Sequence, residues 1–196
     1  STLGLYWAFT NESGGGIENT VAGSVLNRLS GRPTLLKAGS VFRGPGAIGL
    51  VSGAISTEEG DWTIEGGATL DLAGATLVCP QSGALTVEPQ VGSVLRWVSG
   101  RITGNLNVPA GATLEIPFSG GSKYLGGSGA QGTINNAGKV VWHGNFAITG
   151  RGDAGSGATF NNLPSGVFEM TQGADPFSYE SLADNCAFHN QGRIVK

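Results

Sequence analysis

The chain has 196 residues, of which 35 are glycine, and charged residues make up 13% of it with a formal net charge of −3. Without a cluster of Lys and Arg, the composition excludes the electrostatic surface of a nucleic-acid-binding protein. The hydrophobic content of 39%, combined with so few charges, excludes an intrinsically disordered chain. No apolar run reaches the ~18 residues that a membrane-spanning helix needs, so we predict no membrane span.

A motif of an apolar residue, any residue, Asn and a following Gly appears near the start of the chain and returns toward its end. It occurs at Phe9/Asn11/Gly14 and Ile17/Asn19/Gly23, and again at Ile134/Asn136/Gly138, Phe160/Asn162/Gly166 and Phe188/Asn190/Gly192. We predict that the apolar residue points inward at a strand end, that Asn turns the chain, and that Gly adopts a positive φ.

The segment from residue 62 to residue 98 alternates between apolar and polar residues. Pairs such as Leu70 with Leu72, Leu77 with Cys79 and Leu85 with Val87 each predict a short strand with one apolar face. Turn residues separate these pairs, and no segment has an apolar stripe of helical period and length. The sequence therefore predicts an all-β protein.

The segment 92–116 resembles the segment that follows it, and we call this sequence similarity the echo. Gly92 returns as Gly138, Ile102-Thr103-Gly104 as Ile148-Thr149-Gly150, and Gly111-Ala112-Thr113-Leu114 as Gly157-Ala158-Thr159-Phe160, each at an offset of 46 residues. A fixed offset indicates a structural repeat. We predict a parallel β-helix (β-solenoid) of roughly eight turns of about 23 residues, with two turns in each 46-residue repeat. An antiparallel β-sandwich is the alternative.

The two ends and one internal stretch determine the predicted domain organisation. Strand-like sequence begins directly after Ser1 and continues to Lys196, so we interpret residues 1–196 as a single solenoid segment of a longer chain. The stretch 171–187 is polar, aromatic and irregular, and we predict a loop there, because insertions in solenoids gather on one face that often binds a partner.

Six residues are candidates for contact with a ligand. Arg151-Gly152-Asp153 is an integrin-binding tripeptide in a glycine-rich stretch, although such short motifs often occur by chance. Three further candidates, Asp175, Phe177 and Tyr179, come from the irregular stretch 171–187.

The two cysteines, Cys79 and Cys186, are separated by more than half of the chain. In a solenoid of 23-residue turns they lie roughly 20 Å apart at ~4.8 Å per turn, far beyond the ~7 Å Cα separation that a disulfide allows. We therefore predict two separate thiols. His143 and His189 have no Cys or His at zinc-ligand spacing, and we predict no metal and no cofactor.

Catalysis on a β-helix requires acids, or Arg and Lys with acids, that converge on a groove. The candidates are Glu58, Glu59, Asp61, Arg96, Arg101, Asp153 and Glu169. A polysaccharide lyase or glycoside hydrolase would use Arg96, Arg101 and nearby acids to line a cleft. Solvated turn charges are the simpler interpretation of the same residues.

Two binding alternatives depend on repeated side chains. A carbohydrate-binding module would display tryptophans such as Trp62, Trp97 and Trp142, although core packing explains them more simply. Thr69, Thr113 and Thr159 hold the same position of the Gly-Ala-Thr-apolar unit and could form a threonine ladder of the kind that ice-binding solenoids use, although ordinary β-propensity also explains them.

The unit from Trp97 to Gly104, the Gly-Ala-Thr-apolar unit and the Phe160-Asn161-Asn162 unit resemble repeats of large bacterial cell-surface β-solenoid proteins, including filamentous-haemagglutinin-like adhesins and autotransporter passengers. The resemblance covers roughly residues 50–196 and implies an extracellular or cell-surface location without a cofactor. We predict a non-catalytic structural or adhesive solenoid that associates end to end through its open sheet edges, with cell-surface glycans or host receptors as candidate partners.

Overall fold

A computed structural model describes residues 2–4, 9–12, 14–28, 34–57, 62–65, 67–79, 84–87, 92–118, 121–127, 129–144, 148–150, 157–171, 177–179 and 185–196. The regular secondary structure in these ranges is β-strand throughout. The strands are β1 Thr2–Gly4, β2 Phe9–Asn11, β3 Gly16–Glu18, β4 Val25–Arg28, β5 Thr34–Leu36, β6 Val41–Arg43, β7 Ala47–Leu50, β8 Ala54–Thr57, β9 Trp62–Ile64, β10 Thr69–Val78, β11 Ala84–Val87, β12 Val94–Val108, β13 Thr113–Ile116, β14 Lys123–Leu125, β15 Gly132–Asn136, β16 Lys139–Trp142, β17 Ile148–Gly150, β18 Gly157–Asn162, β19 Val167–Met170, β20 Phe177–Tyr179, β21 Asn185–Asn190 and β22 Arg193–Val195.

These strands pair in parallel and form three ladders, one on each face of a β-solenoid. The first face stacks β1, β4, β7, β10, β12, β13, β16, β19 and β22. The second stacks β2, β5, β8, β10, β12, β14, β17 and β20. The third stacks β3, β6, β9, β11, β12, β15, β18 and β21.

This topology confirms the predicted all-β parallel solenoid. The alternative of an antiparallel sandwich is wrong, because consecutive strands of each face run in the same direction. Strands β10 and β12 belong to more than one face, since each continues around corners of the solenoid.

The turns are less regular than the predicted array of eight 23-residue turns. On the first face, the turn that brings Leu95 into register with Leu114 is short, whereas the turn that brings Val140 into register with Phe168 is considerably longer. The first-face ladders of these two turns pair three and four residues, so the difference in turn length lies outside these ladders. The predicted array of roughly eight turns of about 23 residues is therefore not confirmed, because the length differs from turn to turn.

The 46-residue echo also does not mark equivalent positions throughout. Leu114 stacks on the first face, while Phe160, its partner in the echo, stacks on the third. The Gly-Ala-Thr-apolar unit begins a strand on either face, because it supplies a turn followed by an inward apolar residue. Residues 46 positions apart are therefore similar in sequence but do not occupy equivalent positions in the turns.

The core is formed by the inward side chains of the three faces, stacked from rung to rung. On the first face Ile48, Leu70, Leu95, Leu114, Val140 and Phe168 form one such row. Each member is at most 3% exposed. Burying an aliphatic or aromatic side chain of this size stabilises the fold by about 1.5–3 kcal/mol before chain entropy is counted.

Asn136 and Asn162 of the apolar-x-Asn motif are buried inside the solenoid at the corner between the third and first faces. Asn136 donates from Nδ2 to Asn162 Oδ1 at 2.8 Å and to Val167 O at 3.2 Å. Asn162 repeats the pattern one rung later, with Asn190 Oδ1 at 2.7 Å and Arg193 O at 3.3 Å. The motif was predicted to turn the chain; the structure shows that it also ties neighbouring rungs together.

The glycines of this motif serve two different purposes. Gly14 and Gly23 have a φ of 73°, as predicted. Gly138, Gly166 and Gly192 do not have a positive φ. A Cβ at any of these three would instead collide with backbone carbonyl oxygens of the neighbouring corner, such as Asn136 O beside Gly166. Glycine is required there because two backbones approach closely.

Cys79 is a buried thiol that is not in a disulfide, which confirms the prediction for that cysteine. The side chain of Cys186 lies outside the described residues. Within the stretch 171–187, the structure describes Thr171, strand β20 and the first residues of strand β21. The remaining residues of the predicted loop lie outside the described ranges.

Candidate functional site

The six candidate ligand-contact residues are placed only in part. Arg151, Gly152, Asp153 and Asp175 lie outside the described residues. Phe177 and Tyr179 belong to strand β20, which pairs with β17 on the second face, and their side chains are not described. These six residues therefore stay a prediction.

The two arginines proposed for a catalytic cleft lie on different faces. Arg96 is in register with Asp71 and Glu115 on the first face, whereas Arg101 is in register with Thr76 and Tyr124 on the second. Strand β12 turns a corner between them, so these arginines do not line one groove. The acidic candidates Glu58, Glu59, Asp61 and Asp153 lie outside the described residues.

We call the outward side of the first face the charged face, defined by Asp71, Arg96, Glu115, Lys139 and Glu169. Arg96 Nε and one of its terminal nitrogens each lie 2.6 Å from an oxygen of Asp71. The hydrogen bonds to Asp71, together with the charges of Asp71 and Glu115, raise the pKa of Arg96 against the opposing effect of burial. Opposite charges on successive rungs therefore neutralise one another.

The same alternation continues toward the end of the charged face. His143 Nε2 lies 3.2 Å from Glu115 Oε1, and its Nδ1 lies 3.1 Å from Thr171 Oγ1. Lys139 Nζ lies 2.9 Å from Glu169 Oε2. Glu115, Glu169 and Asp71 each have a basic side chain beside them, so the described acids of this face do not form the unpaired pair that glycosidic cleavage requires.

On the second face, Arg101 contacts its own neighbours. Its guanidinium carbon lies 5.1 Å from the centre of the Tyr124 ring, and one of its terminal nitrogens donates to Gly126 O at 2.5 Å. The guanidinium is thus held against the solenoid by a cation–π contact and a backbone hydrogen bond. This arrangement stabilises the stack of rungs and leaves Arg101 a structural role.

Lys123 is a basic residue whose side chain lies inside the solenoid. It is fully buried on the second face, in register with Gly100 and Ile148. Its Nζ donates to Gly121 O at 3.4 Å, and burial lowers the pKa of Lys123. Sequence analysis missed this residue because Lys123 occupies an inward position that its residue type argues against.

Neither the aromatic nor the threonine alternative for a binding surface is formed by the residues that the structure describes. Trp62, Trp97 and Trp142 are at most 1% exposed, so they belong to the core and cannot stack on a sugar. Thr69 and Thr113 both lie on the first face, in register with Val94 between them, but Thr159 lies on the third. The alternative of a ladder formed by these three threonines is wrong, because Thr159 stacks on another face.

A different polar array is present on the third face. Asn105, Asn107, Thr133, Asn135, Thr159 and Asn161 point outward in two adjacent rows. The signal for it is a pair of polar residues that flank one inward residue, Asn105-x-Asn107, Thr133-x-Asn135 and Thr159-x-Asn161, and that returns once in each rung. These rows repeat at 26–28 residues, whereas the more visible similarity in the sequence has an offset of 46 residues, so the sequence alone does not reveal them.

Comparison of the chain with protein-family models, curated proteins and solved structures finds no match. In the described ranges, no three His, Cys, Asp or Glu side chains group as a metal site would require. The same ranges contain no helix with the length and apolarity needed to cross a bilayer. Any function must therefore be argued from the geometry of the chain itself.

Proposed function

We propose that this chain is a non-catalytic structural and adhesive segment of an extracellular or cell-surface protein. The observation that supports this most is the pairing of charges between rungs: Arg96 with Asp71 and Lys139 with Glu169. A catalytic groove needs ionisable groups whose charge is available to a substrate. Here the paired side chains of the described surface serve to hold successive turns together.

The continuous core supports the same proposal. Inward rows pass without interruption from Ile48 to Phe168 on the first face, and hydrogen-bonded asparagines continue the third-face corner from Asn136 to Asn190. Each turn contacts mainly its neighbours, so the array can extend along its axis while its outer faces stay available for contact.

End-to-end association is part of this proposal. Ile194 is 45% exposed and Phe188 is 36% exposed, and the residues in register with them, Phe168 and Phe160, are buried. Strands β21 and β22 also leave one edge of each ladder unpaired among the described residues, and such an edge is a template for another strand. We propose a second copy of the chain as the occupant.

The test combines an enzyme assay with an assembly assay on one preparation. We expect no increase in reducing ends or unsaturated products on neutral and acidic polysaccharides, and a sedimentation coefficient that rises with protein concentration. The variant Ile194→Lys places a charge at the stacking position and should stay monomeric. Gln191→Lys, which adds the same charge at an exposed turn, is the matched control and should assemble. Polysaccharide cleavage, or equal assembly of both variants, would contradict the proposal.

A further inference from the structure

The outward side of the third face has a regular polar surface, which we call the amide face. It consists of three successive rungs with two outward residues each: Asn105 and Asn107, Thr133 and Asn135, Thr159 and Asn161. All six are partly exposed. Neighbouring rungs of a parallel ladder are ~4.8 Å apart, and alternate residues of one strand are ~6.6 Å apart. The amide face is therefore a small two-dimensional lattice of hydrogen-bonding groups.

Hydrogen bonds along the row of Asn107, Asn135 and Asn161 hold these amides in place. Asn135 Nδ2 donates to Asn107 Oδ1 at 3.0 Å, and Asn161 Nδ2 donates to Asn135 Oδ1 at 2.8 Å. An amide has two N–H groups and two acceptor lone pairs, so Asn135 keeps one of each that no described residue uses. Because these side chains are already ordered, a ligand that binds them does not have to immobilise them.

The amide face and the charged face differ in electrostatics. The six residues of the amide face are uncharged at any pH, whereas the charged face contains Asp71, Arg96, Glu115, Lys139 and Glu169. A charged ligand would lose hydration on the amide face without gaining an opposite charge. A neutral ligand rich in groups that both donate and accept hydrogen bonds loses much less, and hydroxyl groups have this property.

The size of the amide face argues against a second copy of the chain as its occupant. Three rungs by two residues span about 10 by 7 Å at standard strand spacings. A stable protein–protein interface needs about 800 Å² from each partner. A polymer that presents hydroxyl groups repeatedly along the solenoid axis can instead combine many weak contacts.

We propose that the amide face binds a neutral, hydroxyl-rich polysaccharide that lies along the solenoid axis. The proposal depends on the adhesive function proposed above and names the ligand class for it. Both rows of the amide face contribute to binding. One row supplies the amides of Asn107, Asn135 and Asn161 as donors and acceptors, and the other supplies the hydroxyls of Thr133 and Thr159.

Retention of the full chain on insoluble cellulose and curdlan tests the proposal, with heparin-agarose as the anionic comparison. Thr133→Glu places a carboxylate in the centre of the amide face. Thr113→Glu makes the same change at a partly exposed, outward position of the charged face, at the first residue of β13, and is the control. The wild-type chain and Thr113→Glu should bind a neutral polysaccharide more tightly than heparin, and Thr133→Glu should bind it about tenfold or more weakly.

Circular dichroism and thermal midpoints of both variants show whether the fold is preserved. If Thr133→Glu unfolds, Thr133→Ser is measured instead; it keeps the hydroxyl and should bind as the wild-type chain does. The proposal is overturned if neither neutral polysaccharide retains the wild-type chain, if both Glu variants bind equally, or if heparin binds best. It is also overturned if the wild-type chain adsorbs to ice and Thr133→Glu weakens this adsorption without changing polysaccharide binding, because the amide face would then bind ordered water. New reducing ends in the same samples would instead contradict the proposed non-catalytic function.

Discussion

The buried asparagine corner gives the most specific prediction for stability. Asn162 is 1% exposed and makes three side-chain hydrogen bonds: it accepts from Asn136 and donates to Asn190 Oδ1 and Arg193 O. Asn162→Leu keeps a side chain of similar volume but removes all three bonds. At about 1 kcal/mol net for each bond, we expect the free energy of unfolding to fall by about 2–4 kcal/mol.

Two further variants make this prediction quantitative. Asn136 has the same role, but its Oδ1 has no partner among the described residues, so Asn136→Leu also removes an unsatisfied buried acceptor and should be milder than Asn162→Leu. Asn161→Leu is the matched control in the same strand. It is partly exposed and loses one hydrogen bond, to Asn135, so we expect a loss of about 0.5–1 kcal/mol.

Equilibrium urea unfolding, followed by the fluorescence of the buried tryptophans, measures all three variants. Terminal rungs of a solenoid can unfold separately, so a single transition must first be shown for the wild-type chain. The reasoning is refuted if Asn162→Leu costs no more than Asn161→Leu, because the inward amides would then not tie the rungs together.

Three other changes test separate parts of the structure. Burial lowers the pKa of Lys123 below 10.5. Between the folded and unfolded pKa values the unfolded chain binds more protons, so the unfolding free energy should rise with pH. Urea titrations at several pH values should show that Lys123→Met loses this rise, and an unchanged slope would contradict the prediction. Gly166→Ala should lower the thermal midpoint, because its Cβ meets backbone oxygen, whereas Gly16→Ala, whose Cβ meets only the end of a flexible side chain, should change it little; equal effects would argue against the close approach. A double-mutant cycle on Arg96→Met and Asp71→Asn should give a coupling of about 0.5–1 kcal/mol for this partly exposed, bidentate pair, and a coupling that does not weaken with salt would contradict its electrostatic origin.

Local sequence patterns were sufficient to predict the fold class. Alternation at Leu70 and Leu72, together with turn glycines, marks short strands, and the apolar-x-Asn-Gly units mark solenoid corners. The inward orientation of Asn136 and Asn162 could not be predicted, because a buried amide is acceptable only when the next rung supplies its partners. Those partners are 26–31 residues away, so finding them requires the turn length.

The same limit explains why the sequence does not reveal which polar residues share a surface. Asp71 and Arg96 are paired across 25 residues, and Asn135 and Asn161 across 26, whereas the visible echo has a much longer offset. A Gly-Ala-Thr-apolar unit can begin a strand on the first or the third face, so its recurrence does not determine which residues share a surface. Corner length decides the face, and corner length leaves little pattern in the sequence.

Electron cryomicroscopy of the concentrated chain tests the central claim, a structural solenoid that joins end to end, most directly. We predict rods that associate into filaments, with a diffraction layer line at ~4.8 Å along the filament axis from the stacked rungs. Globular particles without this axial spacing, at every concentration, would contradict both the stacking of rungs and the proposed function that depends on it.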